Sequence, residues 1–139
     1  MKNDFKEHGE ATVIDGVTGL FWQQDGSDYP MTWHEAQVYV QRLNSERFAG
    51  RSNWRLPTVP ELSSLLIETG HSADLCIEPI FSQEKRWLWS ADHRSFVAAW
   101  YVSVDMGFVS WQDFSCHFFV RAVCSDSFGD FAKVVSEDH

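Results

Sequence analysis

An α+β fold follows from three observations. Thr32 with Glu35 and Thr58 with Glu61 each form a capping box that opens an apolar stripe at helical spacing. Short runs of aromatic and β-branched residues lie before the first helix and after the second. The 139 residues are 44% hydrophobic and 15% aromatic, enough for one domain with a real core. The expected architecture is two helices flanking a small, mostly antiparallel sheet, with the first and last strands near each other. A polar tail (1–10) and an acidic tail (126–139) bracket a single domain over 11–125, and no repeat, linker or low-complexity segment divides it.

The elements follow in order. Residues 1–10 are polar and read as loose. Residues 11–14 and 20–23 read as two short strands joined by a turn at Asp15-Gly16 and Thr18-Gly19. A loop over 24–30 precedes Thr32, after which Trp33, Ala36, Val40 and Leu43 recur at helical spacing. That helix is expected over 33–47, ending before Gly50. His34 lies in its first turn with no second metal ligand at i+4, so it reads as a surface histidine.

The densest structural signal is Asn53-Trp54-Arg55-Leu56-Pro57-Thr58-Val59-Pro60-Glu61-Leu62. Pro57 biases Leu56 towards an extended backbone. Thr58 and Glu61 satisfy each other's amides, and Pro60 sits where a missing N–H costs nothing. The segment therefore turns from an extended stretch carrying Trp54 into a second helix over 59–68, ending at Gly70. Arg55 is expected to form a structural ion pair, for which Glu61 is a candidate, or to cap carbonyls beside Trp54, rather than to bind an anion.

Residues 71–86 show no period, and His71, Asp74, Cys76 and Glu78 do not fit a zinc template. Residues 87–90 read as a strand and 91–96 as a turn region. Residues 99–105 alternate, which predicts Trp100, Val102 and Val104 facing the core and Tyr101, Ser103 and Asp105 facing solvent. Met106-Gly107 turns the chain, residues 108–111 are a further strand, and 118–124 is expected to be the last core strand. Phe128, Phe131, Val134 and Val135 in the tail would either dock as a short helix or fray.

Composition excludes several classes. The net charge is −9, with no Lys/Arg cluster to meet a nucleic-acid backbone or an anionic membrane. No apolar run is long enough to span a bilayer, and no apolar stretch follows the first residues as an export signal would. The chain is accordingly expected to be cytoplasmic, although a chain trimmed of its signal would read the same and be exported or on the cell surface. Cys76, Cys116 and Cys124 cannot all pair within one chain. They read as three thiols in a reducing compartment, with one bridge from Cys116 to Cys124 or Cys76 as the other option.

Six motifs occur in one order: Thr18-Gly19-Leu20-Phe21-Trp22-Gln23; Thr32-Trp33-x-x-Ala36; Trp54-Arg55-Leu56-Pro57-Thr58-x-x-Glu61-Leu62; Trp89-Ser90; Ala99-Trp100-x-Val102 with Gly107; and Val120-Arg121-Ala122-Val123. Together, over roughly 12–125, they resemble the Lcl C-terminal domain family, named for the terminal domain of a collagen-like adhesin. The resemblance implies a C-type-lectin-like fold, related to formylglycine-generating enzymes and to variable proteins of diversity-generating retroelements. It implies no single activity, since this fold hosts sugar binding, protein binding and an oxidase.

The informative surface is 101–117, which offers Tyr101, Ser103, Asp105, Phe108, Ser110, Trp111, Gln112, Asp113, Ser115 and His117. Aromatics with short polar side chains have the composition of a binding face, and in the retroelement-diversified relatives the corresponding segment is the ligand-binding face. Alternation also turns Phe108 or Trp111 inward in some registers, which would make half of these aromatics core. Trp54, Arg55, Pro57, Thr58, Glu61 and Arg121 read as structural.

Trp111-x-Asp113 and Glu78-Pro79 are similar to calcium-lectin motifs, but Gln112 and Ile80 stand where ligands would be, so no obligatory calcium and no cofactor are expected. An oxidase of the formylglycine-generating type needs two converging thiolates. In a straight strand Cys116 and Cys124 would stand roughly 26 Å apart. The expectation is a non-catalytic recognition module for a protein or glycan surface. A structural or self-associating module ranks next, and the oxidase last.

Overall fold

The computed structural model describes residues 4–66, 81, 85–104 and 106–125. Its elements are β1 (Phe5–Gly9), β2 (Thr12–Asp15), β3 (Leu20–Gln23), α1 (Trp33–Ser45), a single 3-10 turn (Phe48–Gly50), α2 (Val59–Ser63), β4 (Trp87–His93), β5 (Ala98–Ser103), β6 (Phe108–Asp113) and β7 (Val123–Ser125). The strands form two antiparallel sheets rather than one, ordered β1-β2-β3-β7 and β4-β5-β6. The first and last strands, expected near each other, share the first sheet but stand at its opposite edges, and β7 pairs with β3.

Two expectations at the ends of the domain are corrected. The segment read as a loose tail contains β1, whose Phe5 pairs with Asp15 and packs edge-on against Phe81 at 5.1 Å. One half-buried aromatic and a partner strand suffice to order it, although the other positions of β1 are exposed. The segment expected to be the last long strand is regular only over β7. Before that it is a seam whose backbone is shared among five other segments. Phe118 exchanges bonds with Met31 at 2.7 and 2.9 Å, and the Phe119 amide donates to Trp87 while its carbonyl accepts from Trp89. Val120 bonds to Ser27, Ala122 to Gln23 and Val123 to Arg55. With its polar groups taken one at a time by different partners, the segment cannot lie in one ladder, yet none of these groups is left dry.

Both capping boxes are present. The Glu35 amide donates to Thr32 Oγ1 at 3.2 Å and the Thr32 amide to Glu35 Oε1 at 2.9 Å; the Glu61 amide donates to Thr58 Oγ1 at 3.3 Å and the Thr58 amide to Glu61 Oε1 at 2.9 Å. Asp92 accepts from the Val59 amide at 2.8 Å, which ties α2 to β4. The helix α1 ends at Ser45, two residues short of expectation, and Arg47 and Ala49 both take positive φ in the turn that follows. The second helix is regular only to Ser63, although turn bonds continue to Leu66. Its expected end at Glu68 to Gly70 lies outside the described residues, as do the loop with His71, Asp74, Cys76 and Glu78, Asp105, and the tail from 126. The strand β4 runs on to His93 through a register shift, into what reads as a turn in the sequence.

The core has two parts, and β5 lies between them. Ala99 and Tyr101 join Trp54, Leu56, Trp89, Phe118 and the buried side of α1. Val102 and Val104 join Val13, Trp22, Leu62, Leu65 and Phe81. A strand covered on both faces has no solvent side. Tyr101 and Ser103, expected outside, are therefore 9% and 0% exposed, while Trp100, expected inside, is only half-buried. Two of the buried indoles find acceptors: Trp54 Nε1 donates to Phe48 O at 3.0 Å and Trp89 Nε1 to Met31 O at 2.8 Å, whereas the buried Trp22 Nε1 has none. Each large apolar side chain fully buried this way contributes about 1.5–3 kcal/mol.

Candidate binding face

Position starts from β5. Because its two faces are buried, the antiparallel partner β6 is carried along the rim of the second sheet as its end strand. The register is fixed: Trp111 pairs with Trp100, Ser110 with Tyr101 and Phe108 with Ser103. Gly107, at φ +75, closes the turn and donates its amide to Ser103 O at 2.8 Å. Successive side chains of β6 point to opposite sides, and both sides reach solvent: Phe108 is 41%, Val109 39% and Trp111 45% exposed, and Gln112 and Asp113 are exposed as well.

On one side, Phe108 stands edge-on to Tyr101 at 6.2 Å. On the other, the Arg94 guanidinium lies 4.6 Å from the Trp111 ring centre, a cation–π contact that holds the indole upright. The end of β6 is fixed by a local turn. Asp113 Oδ1 accepts from the Ser115 amide at 2.9 Å and from Ser115 Oγ at 2.7 Å. The amide bond first, and the hydroxyl second, lower the pKa of the Asp113 carboxyl. Cys116 Sγ lies 3.6 Å from Gln112 Oε1, and Phe114 stacks on Trp33 at 4.6 Å, which anchors the turn to α1.

Of the residues the sequence suggested, Phe108, Trp111, Gln112, Asp113, Ser115 and His117 are therefore presented on the surface or nearly so, Ser110 is half-buried, and Tyr101 and Ser103 are core. Asp105 lies outside the described residues. The structure adds Val109, Phe96 at 97% exposure and Met106 at 71%. Phe96 sits at the tip of the β4–β5 turn, and the only sequence signal for it was an aromatic inside an otherwise polar turn.

Among the described residues no group of three or more His, Cys, Asp or Glu side chains converges. The Asp113 carboxylate of the Trp-x-Asp motif is engaged by Ser115. The straight-strand separation assumed for Cys116 and Cys124 does not apply, because the seam between them is irregular. Cys116 is a half-buried free thiol beside Gln112, and Cys124 is buried in the core on β7; Cys76 lies outside the described residues.

Arg55 binds Glu61 through two parallel bonds of 2.8 and 2.7 Å. Pro57 is buried, and its carbonyl accepts from the Ala91 amide. Arg121 is fully buried and donates to the carbonyls of Gln23 and Gln24.

Two helices, two small antiparallel sheets and an aromatic rim define a mixed α/β domain with its motifs at the joints. Residues 11–124 match the model of the Lcl C-terminal domain, and the chain belongs to that family. No curated protein matches the chain. No helix among the described residues is long and apolar enough to cross a membrane.

Proposed function

We propose that this chain is a non-catalytic recognition module with a C-type-lectin-like arrangement, and that it meets a protein or glycan surface through β6 and the turn after it. The arrangement is supported by terminal strands sharing one sheet while a second, smaller sheet carries the exposed face. The observation that carries the functional reading is β6 itself. A strand fixed in register to a doubly buried neighbour holds Phe108, Val109 and Trp111 in solvent beside Gln112 and Asp113. Rigid aromatics with polar neighbours give contact area at low entropic cost.

The test compares the wild-type chain with Trp111→Ala and Phe108→Ala on immobilised glycans and on extracts of the source organism. Partners kept by the wild type and lost by both variants, with unchanged melting curves, support the reading. Equal retention by all three sinks the face.

A second reading is favoured by the same strand. An end strand bearing apolar side chains is a template for pairing with another copy. In that case light scattering shows an oligomer that Trp111→Lys dissociates.

A further inference from the structure

We propose that β6 is an acceptor strand, and that its partner is an extended basic peptide segment that adds to the second sheet through main-chain hydrogen bonds. The proposal rests on the β6 reading above and names the mode and the chemistry of that contact.

The sheet edges set β6 apart. The two sheets end in β1, β7, β4 and β6. At β7, Arg55 and Val123 exchange backbone bonds of 2.9 and 3.0 Å. At β4, the Phe119 amide donates to Trp87 O at 2.9 Å and the Trp89 amide to Phe119 O at 3.0 Å. The β1 edge is guarded as natural edges are: its register shifts between Glu7 and Gly9, and Lys6, Glu7 and His8 are exposed along it. The β6 edge has neither cover nor guard. Its pairing with β5 runs without a shift, it contains no proline, lysine or arginine, and nothing among the described residues pairs with its outer side.

Register decides which backbone groups lie open. Antiparallel neighbours alternate between residues bonded to each other and residues turned the other way. The Phe114 amide donates to Val97 O at 2.7 Å, so in the same register Phe108, Ser110 and Gln112 are the residues of β6 that spend their backbone groups on β5. On the far side of β5 the Val104 amide donates to Arg86 O at 2.7 Å, which assigns the alternate residues of β5 to β4 and agrees with this phase. Val109 and Trp111 therefore turn their amides and carbonyls outward, about 7 Å apart along the strand. No partner among the described residues takes them.

Side chains and charge choose the occupant. A strand laid antiparallel on β6 places the residues opposite Val109, Trp111 and Asp113 on the side that carries those three side chains. Val109 and Trp111 are apolar, and Arg94 already lies on the Trp111 ring at 4.6 Å, so apolar residues belong opposite them. Asp113 is exposed and acidic, and a cation belongs opposite it. From its amino end the matching segment reads basic, any, apolar, any, apolar. The net charge of −9 draws such a segment, whereas a second copy brings the same charge against it.

The experiment titrates the full isotope-labelled chain, followed by NMR, with a short acetylated peptide in which a lysine is followed by alternating threonine and valine. The controls are the same peptide N-methylated at its valines, which removes the amides that would face Val109 and Trp111, and the same peptide with glutamate for lysine. The parent peptide is expected to bind saturably, to shift the Val109 and Trp111 amide resonances and to slow their hydrogen exchange. N-methylation is expected to weaken it at least about tenfold through the lost hydrogen bonds, and glutamate at least about threefold. Val109→Pro, which removes an outward N–H and no bond to β5, is expected to weaken it about tenfold; the N-methylated peptide reads the same bonds without altering the protein. Strand addition is overturned if the parent peptide does not saturate, if the N-methylated peptide binds equally well, or if the Val109 and Trp111 amides do not respond. It is also overturned if light scattering finds a wild-type dimer that Val109→Pro dissociates, since a second copy then holds the edge. Failure here is separable from failure of the β6 reading. Partners from extracts that are lost with Trp111→Ala but kept with Val109→Pro preserve the face and overturn the strand, and partners kept by both variants overturn both.

Discussion

The Arg121 guanidinium donates to the backbone carbonyl of Gln23 at 2.9 Å, and both residues are buried. Gln23 answers through its side chain, whose Oε1 accepts from the Ala122 amide at 2.8 Å while its Nε2 donates to Tyr39. One turn of loop is thereby closed over the seam. Gly26 sits in that loop at φ +82, where a Cβ would come within 2.7 Å of the Val120 carbonyl. Burial lowers the Arg121 pKa to about 10, with the nearby Asp25 carboxylate working against that fall. The group stays charged at neutral pH, so its charge must be met where it lies.

Arg121→Met is expected to cost about 3 kcal/mol, because it strips two buried carbonyls of a charged donor. Urea unfolding checks it: the midpoint should fall with the slope unchanged. A loss below about 0.5 kcal/mol would mean that water replaces the guanidinium without penalty.

Asn44, near the end of α1, serves Trp54 as a strand partner would. Its Nδ2 donates to Trp54 O at 2.9 Å, and its Oδ1 accepts from the Trp54 amide at 2.6 Å. Asn44→Ala removes both bonds to a buried backbone and should destabilise by about 2 kcal/mol. Asn44→Asp should recover only the bond to the amide, and thermal melts of the two variants should rank accordingly.

Glu61 makes stability depend on pH. Burial raises the pKa of its carboxyl, but the Arg55 bond and the Thr58 amide outweigh that, and the net shift is downward from 4.5. A carboxyl with a depressed folded-state pKa contributes stability above its unfolded value of 4.5 and loses it as pH falls through the folded value. Glu61→Gln should therefore be less stable than wild type at neutral pH. The gap should close as the medium is acidified below 4.5. A gap that is constant across that range would show that the ion pair contributes nothing through charge.

Tyr101 and Trp111 lie on neighbouring strands of one hairpin and should respond oppositely to truncation. Tyr101 is packed on Phe118, so Tyr101→Ala should cost about 3 kcal/mol or more. Trp111 is 45% exposed, and Trp111→Ala should change stability by about 0.5 kcal/mol at most. Calorimetry of both separates core from face and makes Trp111 the variant to carry into binding assays.

What the sequence determined is local. The two capping boxes, the Arg55–Glu61 pair, the turn at Gly107 and the helix stripe of Ala36, Val40 and Leu43 all rest on neighbours within a few residues, where chemistry and spacing decide the outcome. The six ordered motifs likewise sufficed for the family. Tertiary structure decided what depends on the number of covered faces. Alternation in residues 99–105 marks an inside and an outside only if one face is wet; here α1 and the seam lie on one side and the first sheet with α2 on the other, so Tyr101 and Ser103 are buried. The seam before β7 has the composition of a strand, but its hydrogen bonds went to five segments far away in sequence. The choice between one sheet and two was made in the same way, by long-range partners competing for the same backbone groups, and no local pattern records which partner wins.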